Sequence, residues 1–217
     1  MRATITPGLL ALVAASSTVS AQQQTNQSAP FALQIANAAN ASLNGVYLFA
    51  CHAGAAIEGL CLSDVTPNYD FFFNTTDTNN PDDSQYTDPS HGQLVWNLPI
   101  SNNPEITQVS EPLNLQSYSL GTNVIAPLFM PQSSNTVFRF ADDNKLTIVT
   151  SYNDADLQAG VFPPSSPNQQ FYTWNNWYIC WGNVGVSYYY EALNWVTAGE
   201  PHNPTCQKVD VVRVFAP

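Results

Sequence analysis

Basic side chains are scarce in this chain. It has 5 Lys and Arg residues against 16 Asp and Glu, which gives a formal net charge of −11 at pH 7. Nucleic acids and anionic lipid surfaces are held mainly through Lys and Arg. A surface this acidic repels both, so we expect neither nucleic acid nor membrane as a partner.

Long apolar runs are also missing. The longest candidate, residues 8–15, is far shorter than the ~20 residues that cross a bilayer. It follows Met1-Arg2 and precedes small residues that end at Ala21, which is the pattern of a secretory signal. The sequence therefore predicts a signal peptide over residues 1–21, with Gln22 as the first mature residue, and a secreted protein, either extracellular or in a cell wall.

Apolar residues at helical spacing are absent from every long segment. The 16 Pro and 10 Gly residues interrupt the chain at short intervals, and alternating runs with turn residues between them predict strands. We expect an all-β fold, an antiparallel β-sandwich or barrel-like single domain with long loops over residues 31–217, after a disordered lead-in over 22–30. The predicted strands cover residues 31–35, 45–51, 71–73, 93–98, 113–120, 137–140, 145–149, 171–180, 187–195 and 208–215, and a long loop covers 74–92.

Cysteine is limited to four residues, an even number that implies disulfides in a secreted chain. Three pairings are possible, and we favour Cys51–Cys61 with Cys180–Cys206 because both close local segments. No Cys-x-x-Cys pair or nearby His at ligand spacing indicates a metal site. We expect neither a metal nor a cofactor.

Three Asn-x-Ser/Thr sequons predict glycosylation. They begin at Asn26, Asn40 and Asn74, whereas the proline at position 204 disqualifies Asn203. Sugar at any of these positions would place that segment on the surface.

Motifs of the common hydrolases are absent: there is no Gly-x-Ser-x-Gly elbow and no His-Glu-x-x-His pair. His52, His91 and His202 are more simply interpreted as structural or surface residues. Glu191 is the carboxylate of most interest, because aromatic residues surround it in sequence, but an outward position on a strand explains it equally. We therefore assign no catalytic residue.

Aromatic residues cluster between positions 171 and 195, and flat rings are what sugar-binding surfaces often present. A core also gathers aromatics, because each ring buries roughly 150–250 Å². Both uses remain open, and adjacent residues in a strand point to opposite faces. The candidate ligand-binding residues are Trp174, Trp177, Trp181, Tyr189 and Trp195.

Three segments of the C-terminal part stand out: Trp177-Tyr178-Ile179-Cys180, residues 190–195 (Tyr-Glu-Ala-Leu-Asn-Trp) and residues 203–211 (Asn-Pro-Thr-Cys-Gln-Lys-Val-Asp-Val). These segments resemble small secreted fungal proteins of the phiA cell-wall type. Residues 47–54, which end in His-Ala-Gly, and residues 137–149 are similar to further parts of that group. The resemblance covers about half of the mature chain and implies a β-rich wall protein without catalytic residues to carry over.

Three functions follow as hypotheses. The first is a secreted, non-catalytic protein associated with a fungal cell wall, or effector-like and directed at a host protein. The second is binding of cell-wall polysaccharide through exposed aromatics. The third is a glycoside hydrolase that uses Glu191.

Overall fold

The computed structural model describes residues 25–63, 67–76, 90–101, 104–115, 120–132, 134–160, 171–185 and 187–217. These residues form β-strands joined by turns, with two short 3-10 helices at Ala41–Leu43 and Asp154–Asp156 and no α-helix among them. The strands are β1 Thr25–Gln27, β2 Phe31–Ala36, β3 Tyr47–Gly54, β4 Ile57–Ser63, β5 Phe71–Thr76, β6 His91–Pro99, β7 Gln108–Leu115, β8 Val124–Ile125, β9 Pro127–Phe129, β10 Val137–Phe140, β11 Leu146–Thr150, β12 Tyr172–Trp174, β13 Trp177–Val184, β14 Tyr188–Val196, β15 Gln207–Lys208 and β16 Asp210–Phe215.

Seven strands close into an antiparallel barrel in the order β5-β2-β3-β4-β9-β7-β6. The pairing of β5 with β6, which joins Phe71 to Trp96 and Thr75 to Gly92, completes the ring. Closure removes the exposed sheet edges that these strands would otherwise present. The expected fold class is confirmed, and among the two architectures considered the barrel is the one observed.

Every strand of the barrel contributes inward residues to one main core. Alternation along each strand places apolar side chains on the inner face, and the packed set includes Leu33, Leu48, Leu60, Phe71, Leu94, Leu113 and Phe129. Phe71 and Phe129 stack with their ring centroids 5.7 Å apart. The interior is therefore filled by side chains.

A second, smaller core lies on the outer face of the barrel wall. Cys51 and Ala53 of β3, Cys61 of β4 and Leu128 of β9 point outward and are covered by Val184 and Ala192 of the β13–β14 hairpin. The hairpin joins the barrel at one register pair, Ala192 with Cys61. The hairpin thus forms an outer layer that packs against one side of the barrel.

The remaining strands extend the sheet around the barrel. β1 pairs with β5, β16 pairs with β2, and β10, β11 and β12 continue outward from β6. The predicted hairpin over residues 137–149 forms β10 and β11, with Phe140 opposite Leu146. Trp177 and Trp195 from the β13–β14 hairpin join the main core beside Phe138.

Both predicted disulfides are present, Cys51–Cys61 and Cys180–Cys206. The first links neighbouring strands of the barrel wall and the second ties the segment before β15 to β13. The described residues hold no free cysteine.

The structure differs from the predicted elements in several places. Residues 22–30 were expected to be disordered, but Thr25–Gln27 forms β1 because it pairs with β5, while 22–24 lie outside the described residues. The strand expected over 113–120 begins earlier and is β7, Gln108–Leu115. β4 was not predicted. The ends of the expected loop 74–92 belong to β5 and β6, and residues 77–89 lie outside the described residues.

Among the residues that the structure describes, no helix has the length and apolar character of a membrane span.

Candidate functional site

The two strands of the β13–β14 hairpin present different faces along their length. The even-numbered residues of the outer half, including Val184 and Tyr190, pack on the barrel wall. The odd-numbered residues Ile179 and Leu193 enter the main core at the base of the hairpin. Beyond them the same odd-numbered face is open to solvent, because none of the elements in the described ranges covers it there.

That open face carries two aromatic rings and two polar side chains. Trp181 is 56% exposed and Tyr189 is 61% exposed. Trp181 is the register partner of Glu191, and Asn183 is the partner of Tyr189, so the four side chains share one face. Trp181 and Tyr189 are diagonal neighbours, which in antiparallel sheets lie roughly 7–8 Å apart. We call these four residues the aromatic platform.

The backbone beneath Trp181 is held by the segment that follows the hairpin. The Trp181 amide donates to Thr205 Oγ1 at 3.0 Å, and Asn203 Nδ2 donates to the Trp181 carbonyl at 2.9 Å. The Cys180–Cys206 disulfide fastens the neighbouring residue to the same segment. The ring of Trp181 therefore projects from a fixed point, which lowers the entropy cost of using it as a contact.

The three other candidate tryptophans are placed differently. Trp177 is fully buried and its Nε1 donates to the Leu146 carbonyl at 2.8 Å, while Trp195 is 7% exposed and packs edge-on against Trp177. Trp174 is half-buried and donates from Nε1 to Thr150 Oγ1. Trp177 and Trp195 are not available to a ligand, which corrects the expectation that they bind one, because both side chains are buried in the main core.

A cation lies at the base of the hairpin, away from the platform. Lys208 of β15 pairs with Tyr178 of β13, and its Nζ lies 4.9 Å from the centroid of the Tyr178 ring. Burial lowers the pKa of Lys208, although the charges of Asp210 and Glu200 oppose this. Burial also raises the pKa of Tyr178, and the charge of Glu200 adds to that effect. Tyr178 is even-numbered, so this pair lies on the other face of the strand.

The remaining predicted residues are dispersed. His91 is buried on β6, whereas His52 and His202 are exposed. Among the sequons, Asn26 on β1 and Asn40 at the first 3-10 helix are exposed, and Asn74 on β5 is half-buried with its Oδ1 accepting from Gln27 Nε2 at 3.0 Å. The described residues contain no group of three His, Cys, Asp or Glu side chains that could hold a metal ion.

The platform carries groups that can contact a sugar. Flat exposed rings can stack on the apolar face of a pyranose, and the Asn183 amide and Glu191 carboxylate can bond its hydroxyls. Glycosidases instead place two carboxyl groups on either side of the scissile bond. On this face of the hairpin Glu191 is the one carboxylate among the described residues.

Fold and site together define a disulfide-bonded antiparallel β-barrel with an aromatic hairpin on its wall. The chain belongs to the family described as "Domain of unknown function (DUF7907)", whose model matches residues 28–215. That span contains the whole barrel and the hairpin. No curated protein and no solved structure shows significant similarity to the chain.

Proposed function

We propose that this protein is a secreted, non-catalytic fungal wall protein that binds cell-wall polysaccharide through the aromatic platform. The observation that carries the proposal is the exposure of Trp181 and Tyr189 on one face of a hairpin whose other large aromatics are buried or half-buried. Clusters of exposed apolar surface often mark a binding site, and rigid rings supply contact area at low entropy cost.

The proposed location outside the cell rests on separate observations. The N-terminal segment has the pattern of an export signal, and both cystine bridges are of a kind that persists in oxidising compartments. Fractionation of the producing organism should find the protein in the medium or wall, with Gln22 as its first residue. Recovery from the cytosol alone, with Met1 or Arg2 still present, would contradict this part of the proposal.

Binding is tested by retention on insoluble chitin and β-glucan. Trp181→Ala and Tyr189→Ala should each weaken retention by about tenfold or more, equivalent to ~1.4 kcal/mol. Tyr152→Ala is the matched control, because Tyr152 is also exposed, at 56%, but lies outside the platform. Equal retention of all three variants, or no retention of the unmodified protein on either polysaccharide, would refute platform binding.

A further inference from the structure

Two glutamates on different strands face each other in the interior of the barrel. Glu58 lies on β4 and Glu111 on β7, with the short strand β9 between them. Phe129 of β9 is the register partner of Glu58 on one side and of Leu113 on the other. Glu111 precedes Leu113 by two residues and so shares its inward face.

Both side chains are withdrawn from water. Glu111 is 0% exposed and Glu58 is 6% exposed. Their carboxyl groups lie at hydrogen-bond range of each other. Within the described part of the chain, no other group donates to Glu58 Oε2 or to either oxygen of Glu111. Two carboxyl groups form a hydrogen bond only when one of them carries a proton, so the contact requires a shared proton.

The surroundings provide little compensating charge. His52, the register partner of Glu58 on β3, faces the pair, but it is exposed. On the β6 side, Trp96 is the register partner of Glu111, and its Nε1 donates to Asp70 Oδ2 at 3.1 Å. Asp70 is itself a carboxyl group, whose pKa burial raises, so this side supplies no positive charge to the pair. β9 contributes only Pro, Leu and Phe.

The proton affinities follow from this environment. Burial raises the pKa of Glu111 to about 8, and the hydrogen bond and charge of Glu58 add to the effect. Burial also raises the pKa of Glu58, although its hydrogen bond to Glu111 and the charge of His52 act in the opposite direction. Buried carboxyl pairs of this kind retain a proton because two adjacent charges in an apolar interior repel each other.

The pair lies at a weak joint of the barrel. β9 has three residues, and Glu58–Phe129 is the single register pair that connects it to β4. On its other side β9 forms three register pairs with β7. Repulsion between Glu58 and Glu111 would push β4 away from β7 and act directly on this joint.

We propose that Glu58 and Glu111 form a proton-dependent latch that keeps the β4–β9 joint of the barrel closed while the pair holds its shared proton. The folded state binds that proton more tightly than the unfolded chain, in which a glutamate has a pKa near 4.5. The contribution of this pair to stability is therefore fully present below about pH 4.5 and declines as the pH rises from there towards about 8, by up to about tenfold in the unfolding equilibrium constant per pH unit. The joint loosens on the alkaline side.

The test compares thermal melting of the unmodified protein and Glu111→Gln between about pH 5 and pH 9. The glutamine side chain is neutral and can still donate a hydrogen bond to the Glu58 carboxylate. We expect the decline in melting temperature with pH to become clearly smaller in the variant, which should melt above the unmodified protein at the alkaline end. Glu191→Gln, the same change on the exposed platform, should keep the original slope.

Two further measurements keep the proposal testable if Glu111→Gln does not fold. Infrared spectra of the unmodified protein should show a protonated carboxyl group at neutral pH that disappears above about pH 8. Protection of the Phe129 amide from hydrogen exchange should fall with pH relative to that of Ile179 in the hairpin. Equal melting slopes in Glu111→Gln and the unmodified protein, or no protonated carboxyl at neutral pH, would overturn the latch.

Discussion

Gly59 of β4 lies directly beneath Val184 of β13. A Cβ atom at position 59 would overlap Val184 Cγ1 and would approach Cys51 Sγ to 3.4 Å. Because Gly59 has no side chain, the β13–β14 hairpin can approach the barrel wall closely. This close approach fixes the position of the hairpin that carries the aromatic platform. The contact joins the outer core to the candidate site.

Gly59→Ala should therefore destabilise the protein by about 1–3 kcal/mol, the range for overpacking a buried contact. Val184 is branched at Cβ and enclosed in the outer core, so it cannot turn away without moving the hairpin. Urea unfolding measures the loss. Gly182→Ala, in strand β13 of the hairpin itself, is the control, because its added Cβ meets only Asn203 Nδ2 at 3.6 Å. Equal stability of the two variants would show that the hairpin does not depend on this close approach.

Trp177 and Trp181 lie on the same strand, but Trp177 is buried and Trp181 is exposed. Substitution should therefore lower the free energy of unfolding at Trp177 much more than at Trp181. Trp177→Phe removes the donor to the buried Leu146 carbonyl and should cost about 1–3 kcal/mol or more, because the smaller ring also leaves space. Trp181→Phe should change stability by less than about 0.5 kcal/mol, since its ring is exposed. Chemical denaturation distinguishes the two, and a larger loss for Trp181→Phe would contradict the assigned positions.

The two disulfides should contribute unequally. Cys180–Cys206 spans a sequence separation of 26 and Cys51–Cys61 spans 10. By the loop-entropy relation, removal should cost about 3.5 kcal/mol for the longer loop and about 2.7 kcal/mol for the shorter one. Paired Cys→Ala variants, compared by denaturant unfolding, measure the difference. A greater loss for Cys51–Cys61 would indicate that strain or packing outweighs loop entropy here.

Local sequence patterns predicted hairpins, strands and disulfides whose partners are close together in the sequence. The hairpin over 137–149 follows from alternating residues around an acidic turn, and the strand expected over 208–215 is largely recovered as β15 and β16. Both disulfides close short segments, so sequence distance was a sufficient guide. The barrel also requires β2 to pair with β5 and β9 to lie between β4 and β7. These pairings join strands that are not consecutive in the chain, which no local pattern encodes.

The sites were harder to predict than the strands. Trp181 and Tyr189 were among the candidates, but alternation alone could not tell which half of the hairpin the main core covers. Glu58 and Glu111 were not singled out, although Glu58 alternates with Leu60 and Leu62, and Glu111 alternates with Leu113 and Leu115. An acidic residue in phase with a run of core leucines was the available signal. The sequence patterns predict no strand over residues 57–63 and begin the later strand at residue 113, so neither glutamate falls within a predicted strand.

Asp210 connects three parts of the structure outside the barrel. It accepts hydrogen bonds from Asn37 Nδ2 at 2.6 Å and Asn175 Nδ2 at 2.5 Å, and Lys145 Nζ lies 3.2 Å from its Oδ2. Burial alone would raise the pKa of Asp210, but these three donors outweigh it and lower the pKa below 3.8. The ionised form is therefore the one that the fold binds.

Asp210→Asn should weaken the protein in a pH-dependent way. Because the folded pKa is depressed, the stability that Asp210 contributes is present above its unfolded pKa and is lost as the pH falls through the folded value. We expect the variant to be less stable by about 1–3 kcal/mol near neutral pH, with the gap closing as the pH falls through the depressed pKa of Asp210. Asp142→Asn, at an exposed position in the β10–β11 turn, is the control and should show no such gap. If the difference in stability between Asp210→Asn and the unmodified protein stayed constant into strong acid, the charge of Asp210 would not be the cause. The shape of the side chain would then explain its effect.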